Sequence, residues 1–465
     1  MYLLFPELSI LLTAILVLIY DMFNPTPNRK IFFGISFTGL LLSGTSLLFP
    51  FFSGKVLSLT YFFSNLYLVD HLSIFFKGIA LLTGILFLFL NYNFFGALVK
   101  RREGEFLFLF LISIFGLMIT ASSTNLLIIY LGLEMIAFTS YLLTGWQKNI
   151  DRSREGAVKY FILGAVSSAI FLYGISIFYG LTGSLDIAGL AVANHASNLV
   201  FFISLFFIFI GIGFKIAMFP MQFWSPDVYE GAPTSVTAYL SVGPKAIGFA
   251  LLIRFMTLLQ ADFIFIIAIL SVLTMTWGNI VAISQTNIKR FLAYSSIAQA
   301  GYIMVGLVAG SFGYQAIAFY ILAYTFANLG VFALVAYLST EFKSEELSSF
   351  SGLASRSPFV ALTLTFLLLS LIGLPPTSGF IAKFLVFKSA LNAGYIWLVI
   401  FGLLNSLIAA YYYLKIISLI YFKKGEESTM NIPVFITFAT LICAVATLLL
   451  GILPNFVIAL LSYIK

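Results

Sequence analysis

Long apolar runs with almost no charge recur fourteen times along this chain, at residues 2–23, 31–52, 71–96, 105–122, 124–146, 156–181, 198–223, 234–258, 261–284, 290–309, 312–339, 358–388, 394–422 and 432–463. A helix needs about 20 mostly apolar residues to cross the hydrocarbon of a bilayer. The runs are continuous rather than alternating, which excludes spanning strands. Only 9% of the residues are charged and 61% are hydrophobic, whereas a soluble protein is about 25% charged. No water-soluble surface can be built from that stock. The sequence therefore predicts an all-α integral membrane protein with about 14 transmembrane helices, the lipid bilayer being its first partner. The first run has neither a basic lead nor a small-residue cleavage site, so it reads as a span rather than a signal peptide.

Orientation follows from lysine and arginine. The odd-numbered connections hold Arg29, Lys30, Lys100, Arg101, Arg102, Lys148, Arg152, Arg154, Lys289, Arg290, Lys343, Arg356, Lys423 and Lys424, and the even-numbered ones hold Lys55 alone. That bias puts the odd connections in the cytoplasm and both termini outside. Residues 156–175 can be laid on 315–334, and Phe219-Pro220 on Leu374-Pro375. Spans four to eight and nine to thirteen then form two five-helix repeats. Five is odd, so the repeats are inverted, as in many transporters. The expected organisation is helices one to three over 1–104, the first repeat over 105–258, the second over 259–422 and the last helix over 423–465. Spans seven and twelve are broken at matching places, by Pro220 and by residues 373–380. Proline at membrane depth frees a carbonyl that must find another partner. Paired broken helices point to an ion site near mid-membrane.

Charge at the bilayer centre costs at least about 2.5–3.5 kcal/mol, so each charge at depth needs a reason. The acid deepest in a span is Glu134, and the bases are Lys159, Lys215, Lys245 and Lys383. Glu134 reads as a carboxylate that either locks two helices or couples to a moving proton. Lys215, just before Pro220, either caps freed carbonyls or takes and gives a proton. Lys245 sits near mid-membrane and Lys383 follows the break in span twelve. Lys159 stands at the entry of span six, as a relay or a snorkelling side chain. Lys77, Arg254, Lys388 and Lys415 lie nearer span ends and read as snorkelling; His71 and His195 read as boundary and loop residues. Hydroxyls and amides at Thr237, Tyr239, Ser241, Tyr294, Ser295, Ser296, Gln299, Tyr320, Tyr324, Thr325 and Asn328 serve either as helix glue or as a wire between titratable groups. One cysteine, Cys443, and two histidines leave no disulfide or cysteine metal site and argue against zinc or haem. No phosphate-binding loop or dinucleotide fingerprint stands out. The net charge of +7 is spread singly between apolar runs and does not suggest nucleic acid.

The motifs carry a resemblance. Residues 223–246 (FWSPDVYEGAPTSVTAYLSVGPKA), 288–306 (IKRFLAYSSIAQAGYIMVG), 130–143 (YLGLEMIAFTSYLL) and 373–384 (GLPPTSGFIAKF) closely resemble the antiporter-like membrane subunits of respiratory complex I, NADH:quinone oxidoreductase. Within them they look like the subunit N family, called subunit 2 in mitochondria and chloroplasts. The similarity covers nearly the whole chain in order. Antiporter-like relatives tend to have a histidine near the tryptophan of span seven, where this chain has Gln222-Phe223-Trp224. Span eight offers Lys245 without a neighbouring histidine, so a relay there would use hydroxyls and water. The resemblance implies a proton-translocating subunit of the bacterial inner (plasma) membrane, partnered with other membrane subunits and a peripheral arm. It implies that NADH, FMN, iron–sulfur clusters and quinone are bound in other subunits, with no cofactor or metal here. It also implies roles by matching position: Glu134 and Lys215 as the coupled pair, Lys245 as central relay, Lys383 at the outer exit, Lys159 near the inner entry. The rival readings are a cation/proton antiporter subunit and a purely structural membrane-arm subunit.

Overall fold

The computed structural model describes residues 2–24, 28–52, 60–62, 66–92, 102–187, 199–256, 261–423 and 430–464. Lys55, Lys100, Arg101, His195 and Lys424 lie outside the described residues. The helices are α1 (Phe5–Phe23), α2 (Arg29–Phe52), α3 (His71–Tyr92), α4 (Glu103–Ser122), α5 (Leu126–Thr144), α6 (Asp151–Thr182), α7 (Leu199–Ile216), α8 (Trp224–Gly231), α9 (Thr234–Met256), α10 (Ala261–Ala282), α11 (Ile288–Met304) and α12 (Gly310–Phe342). They continue with α13 (Pro358–Ile372), α14 (Ser378–Asn392), α15 (Ile396–Phe422), α16 (Val434–Ile452) and α17 (Pro454–Leu461). A short antiparallel hairpin, β1 (Thr60–Phe62) with β2 (Tyr67–Val69), precedes α3.

The helices start and stop for local reasons. The Asn125 side chain accepts from Leu127 N to cap α5, and Asn287 accepts from Lys289 and Arg290 N to cap α11, which satisfies donors that a helix start leaves open. Gly183, at φ 68°, ends α6 in the left-handed conformation that glycine adopts freely. Among the described residues, twelve helical stretches are long and apolar enough to cross a membrane. One of them, Ile288–Phe342, joins predicted spans ten and eleven through the tight turn Val305–Ala309. The break in span twelve leaves α13 at 15 residues, too short to cross alone.

The chain divides into two compact units. Unit 1 comprises Met1–Ile216, Gly231–Pro233 and Gly243–Ala261; unit 2 comprises Ala217–Glu230, Thr234–Val242 and Asp262–Lys465. The division thus falls at the break after α7 and again inside α9, one residue before Pro244. In unit 1, α4 packs against α1, α3 and α5, and α6 lies between α5 and α7. Small residues allow the close approach of α6 and α7: Ser204 Oγ donates to Gly174 O at 2.9 Å, a short crossing of the kind small side chains permit within membranes. In unit 2, α12 is the hub against α13, α14 and α16.

Contacts within unit 1 follow the expected alternation of helix direction. Arg29 pairs with Glu103 at 3.7 Å, joining connections one and three. Tyr67 bridges to Ser123, and Asn125 to Asp186, joining connections two, four and six. Odd ends meet odd ends and even meet even. Among the described residues, the least apolar candidate span, α9, is also the most completely buried. Helices α6, α15 and α16 instead turn Phe161, Leu407 and Val445 outward. Lipid accepts apolar side chains only, so the helix rich in polar groups must be enclosed by protein.

Candidate functional site

In unit 1, Glu134 stands midway along α5 and is half-buried. Ser168 of α6 donates to its carboxylate. Lys215 is next to last in α7, where the chain leaves the helix through Ala217 at φ 59°. A left-handed alanine costs roughly 1–3 kcal/mol and persists only where surrounding structure holds it. The Lys215 side chain is buried, and among the described residues Nζ has no hydrogen-bond partner. Its ammonium lies 5.9 Å from the Phe214 ring centre. The charge that acts on it is that of Glu134, through space rather than in a bonded pair. Lys245 is buried on α9, directly after Pro244. A side chain at Gly248 would meet Lys215 Cβ at 3.7 Å. Helices α7 and α9 therefore touch at Lys215 and Ile216, and Lys245, three residues before Gly248, sits about 4.5 Å along the axis from that contact, just under one turn.

In unit 2, the break after α7 is held by Thr274, whose Oγ1 accepts from Phe219 N at 3.0 Å. Helix α8 follows with Trp224 and Tyr229 fully buried. Its outer acids, Asp227 and Glu230, both hold Arg290 of α11, at 2.6 and 3.1 Å. The second break runs through Gly373 at φ 91°. A Cβ there would lie 2.9 Å from Lys383 Cδ, so both conformation and space call for glycine. Lys383 Nζ donates to Ile372 O at 2.8 Å and to Ser406 Oγ at 3.4 Å, and lies 4.4 Å from the Tyr302 ring centre. A cation at the carbonyl end of a helix meets the negative end of its dipole.

A network of amides and hydroxyls surrounds Lys383. Asn279 Nδ2 donates to Tyr302 OH and to Asn405 Oδ1, at 2.9 and 3.0 Å. Tyr412 OH donates to Asn279 Oδ1 at 2.9 Å. Tyr320 OH donates to Gln299 Oε1 at 2.5 Å, and Gln299 Nε2 to Leu371 O at 2.9 Å. Tyr324 OH donates to Ser296 Oγ at 2.8 Å, and Ser295 is hydrogen-bonded to Tyr413. Gln299, Tyr320, Tyr324 and Ser370 line a cavity with about 10 Å³ of free space, at the lower edge of what holds one water. Asn328 Nδ2 donates to Ser241 Oγ at 2.6 Å. Sequence reasoning named Ser241, Ser295, Ser296, Gln299, Tyr320, Tyr324 and Asn328 but missed Asn279, Tyr302, Ser370, Asn405, Ser406, Tyr412 and Tyr413. Two amides deep in spans nine and thirteen were the available signal.

The structure departs from two sequence expectations. Lys77 and Arg254 do not snorkel. The Lys77 side chain is 1% exposed and paired with Glu7 at 2.7 Å, and Arg254 clasps Asp70 with two bonds of 2.9 and 3.0 Å. Lys383 turns back to the carbonyl end of the broken helix. Lys159 stands apart, 44% exposed at its side chain and paired with Glu155 one turn away at 2.6 Å. Among the described residues, no group of three or more His, Cys, Asp or Glu side chains could hold a metal ion.

Residues 123–409 match the family model described as "NADH:quinone oxidoreductase/Mrp antiporter, TM". NADH-quinone oxidoreductase subunit N of Trichlorobacter lovleyi is 38% identical over 97% of this chain and 94% of its own length. A chain in the structure of respiratory complex I from Thermus thermophilus with bound aureothin superposes with a TM-score of 0.85 at 31% identity, over 99% of this chain and 100% of that one. A chain of the Mrp complex from Dietzia gives a TM-score of 0.89 at 19% identity, over 99% of this chain and 96% of that one, a likeness of fold.

Proposed function

This chain belongs to the family of NADH:quinone oxidoreductase and Mrp antiporter membrane subunits, and from that premise we propose that it is the subunit N (subunit 2) of a respiratory complex I. It is a multi-pass protein of the bacterial inner membrane and works beside other membrane-arm subunits. It couples electron transfer from NADH to quinone to the movement of protons. In this reading NADH, FMN, the iron–sulfur clusters and quinone are held elsewhere in the complex, and this chain supplies titratable side chains alone. About fourteen crossings, two inverted repeats and both termini outside complete the reading.

One observation carries the transport role. Lys215 is buried at a helix break, has no bonded acceptor among the described residues, and answers to Glu134 through space. A lysine held that way is stabilised by a charge that can be strengthened or weakened without breaking a bond. Coulomb energy between two charges falls with their separation and grows as the dielectric falls, so a moved or altered Glu134 charge is felt at Lys215. Lys215 takes a proton from the cytoplasmic side. A change at Glu134 then moves it towards Lys245, and onward through hydroxyls and amides to Lys383 and out. Lys159 serves the entry. The test replaces Lys215 or Glu134 with alanine in the assembled complex and counts protons moved per electron. A fall supports the reading, and an unchanged count contradicts it. Lys383 also has a structural reading, because it donates to the carbonyl freed at the break. An assembly defect with normal pumping in Lys383→Met would favour that. Co-purification with NADH-oxidising subunits separates a complex I subunit from an antiporter subunit.

A further inference from the structure

The path from Lys215 to Lys383 leaves unused the most completely buried ion pair among the described residues. Lys77, in the second turn of α3, sits 2.7 Å from Glu7 Oε1, with side chains 1% and 5% exposed. Tyr67 OH donates to the same Oε1 at 2.6 Å and accepts from Lys77 Nζ at 2.8 Å. Glu7 Oε2 is buried and, among the described residues, has no hydrogen-bond partner. One carboxylate oxygen is thus shared by two donors while the other stays open to a proton. Asp70 and Arg254 form the neighbouring pair, and Arg254 also donates to Ala121 O at 2.9 Å. Lys77 feels Glu7, Asp70 and Arg254 together.

The groups facing this cluster come from every element around it. They are Glu7 of α1, Tyr67 of β2, Asp70 just before α3, and Arg254 of α9. Helix α4 brings the Ala121 carbonyl and the Ser122 hydroxyl; α2 brings Ser43, which donates to Pro6 O. Burial and the Glu7 charge push the Tyr67 phenol well above its ordinary value, so it stays a donor. Burial raises the Asp70 carboxyl, but Arg254 and the Ser73 hydrogen bonds outweigh that and hold it below the usual carboxylate range. Both Asp70 oxygens are thus bonded, and Glu7 Oε2 is the carboxylate oxygen of the cluster left without a partner among the described residues. A simple lock between helices would leave no open buried oxygen and no second acid within the lysine's field. Buried pairs are in any case poor stabilisers, because desolvation offsets their attraction.

We propose that Glu7, Tyr67 and Lys77 form a further proton-binding site on the outer side of unit 1, an inference that rests on the transport reading above. A proton taken at Glu7 Oε2 neutralises the carboxylate and frees the Lys77 ammonium to turn to Asp70. Asp70 then holds Arg254 less tightly. The charge at the far end of α9, the helix that carries Lys245, changes as the outer face is protonated. Glu7 is here the group that binds the proton, and Lys77 and Tyr67 are its positioning residues.

The test uses the whole complex in vesicles, with Glu7→Gln and with Glu7→Gln/Lys77→Met. Two quantities are read: protons moved per electron, and the infrared band of a protonated carboxylic acid that grows on mild acidification. Both variants are expected to oxidise NADH, to lack part of that band, and to lose more than half of the pumping. Where Glu7→Gln fails to assemble, the double variant, which leaves no buried charge unpaired, gives the same two readouts. Pumping lost in the single variant and regained in the double would overturn the proposal in favour of a lock. An intact band and intact pumping would overturn it as well. If Lys215→Ala abolishes pumping while Glu7→Gln alters nothing, this inference fails and the transport reading stands. If neither variant alters pumping, both fail.

Discussion

Lys215 in unit 1 and Lys383 in unit 2 share one sequence signature, a lysine beside a broken span, yet the structure treats them oppositely. Lys383 is bonded to Ile372 O and Ser406 and lies over the Tyr302 ring. Lys215 has no bonded acceptor among the described residues and depends on Glu134 at a distance. A bonded lysine is held by short contacts that must be broken before it moves. A lysine held by a field responds to any change in the charge that makes the field. The same motif thus yields one poised group and one anchored group.

That contrast breaks most sharply at Lys215: its alanine variant should abolish proton movement through this subunit while the complex still assembles, because no bonded partner is stranded. Lys383→Met should instead strand the Ile372 carbonyl, costing about 1–3 kcal/mol. It should lower the thermal stability of the purified complex as well as its pumping. Gly373→Ala forces a side chain into a left-handed backbone against Lys383, costing roughly 1–3 kcal/mol; reduced assembly, seen on native gels, is the expected result. Ser168→Ala removes the hydroxyl donor to Glu134 and forfeits about 1.5–3 kcal/mol of support for that carboxylate. Pumping that slows by more than this modest loss of stability accounts for would show that Glu134 works on Lys215 rather than on the fold alone.

The smallest effect concerns pH. The Asp70 carboxyl is held below its ordinary value by Arg254 against the opposing pull of burial. Its contribution to stability is therefore fully present above about pH 3.9, the ordinary value. It is lost as pH falls through the lowered one. Melting of the complex from neutral to acid pH should show this loss in the parent and not in Asp70→Asn, which lacks the contribution throughout.

Much of the fold was legible because lipid imposes a blunt rule: a span must be long and apolar, and the basic residues sort to one side. The broken helices were legible too, since Pro220 and Pro375 have no place in an unbroken span. Pairing was not legible. Glu7, Asp70, Lys77 and Arg254 were visible as charges near span ends, but Arg254 meets Asp70 across 184 residues of sequence. Nothing local says which acid a base will face, so snorkelling was the reading that apolar surroundings suggested. The Lys383 contact with Ile372 O depends on the path of the chain through Gly373, a backbone angle rather than a residue pattern. The tyrosines and amides around it come from four separate helices, which only the fold brings together.

The account turns on Lys215 as a proton carrier, and protons moved per electron by the assembled complex in vesicles, parent against Lys215→Ala, test it most directly. The account predicts a clear fall in that ratio with the complex intact. An unchanged ratio in a fully assembled variant would contradict it.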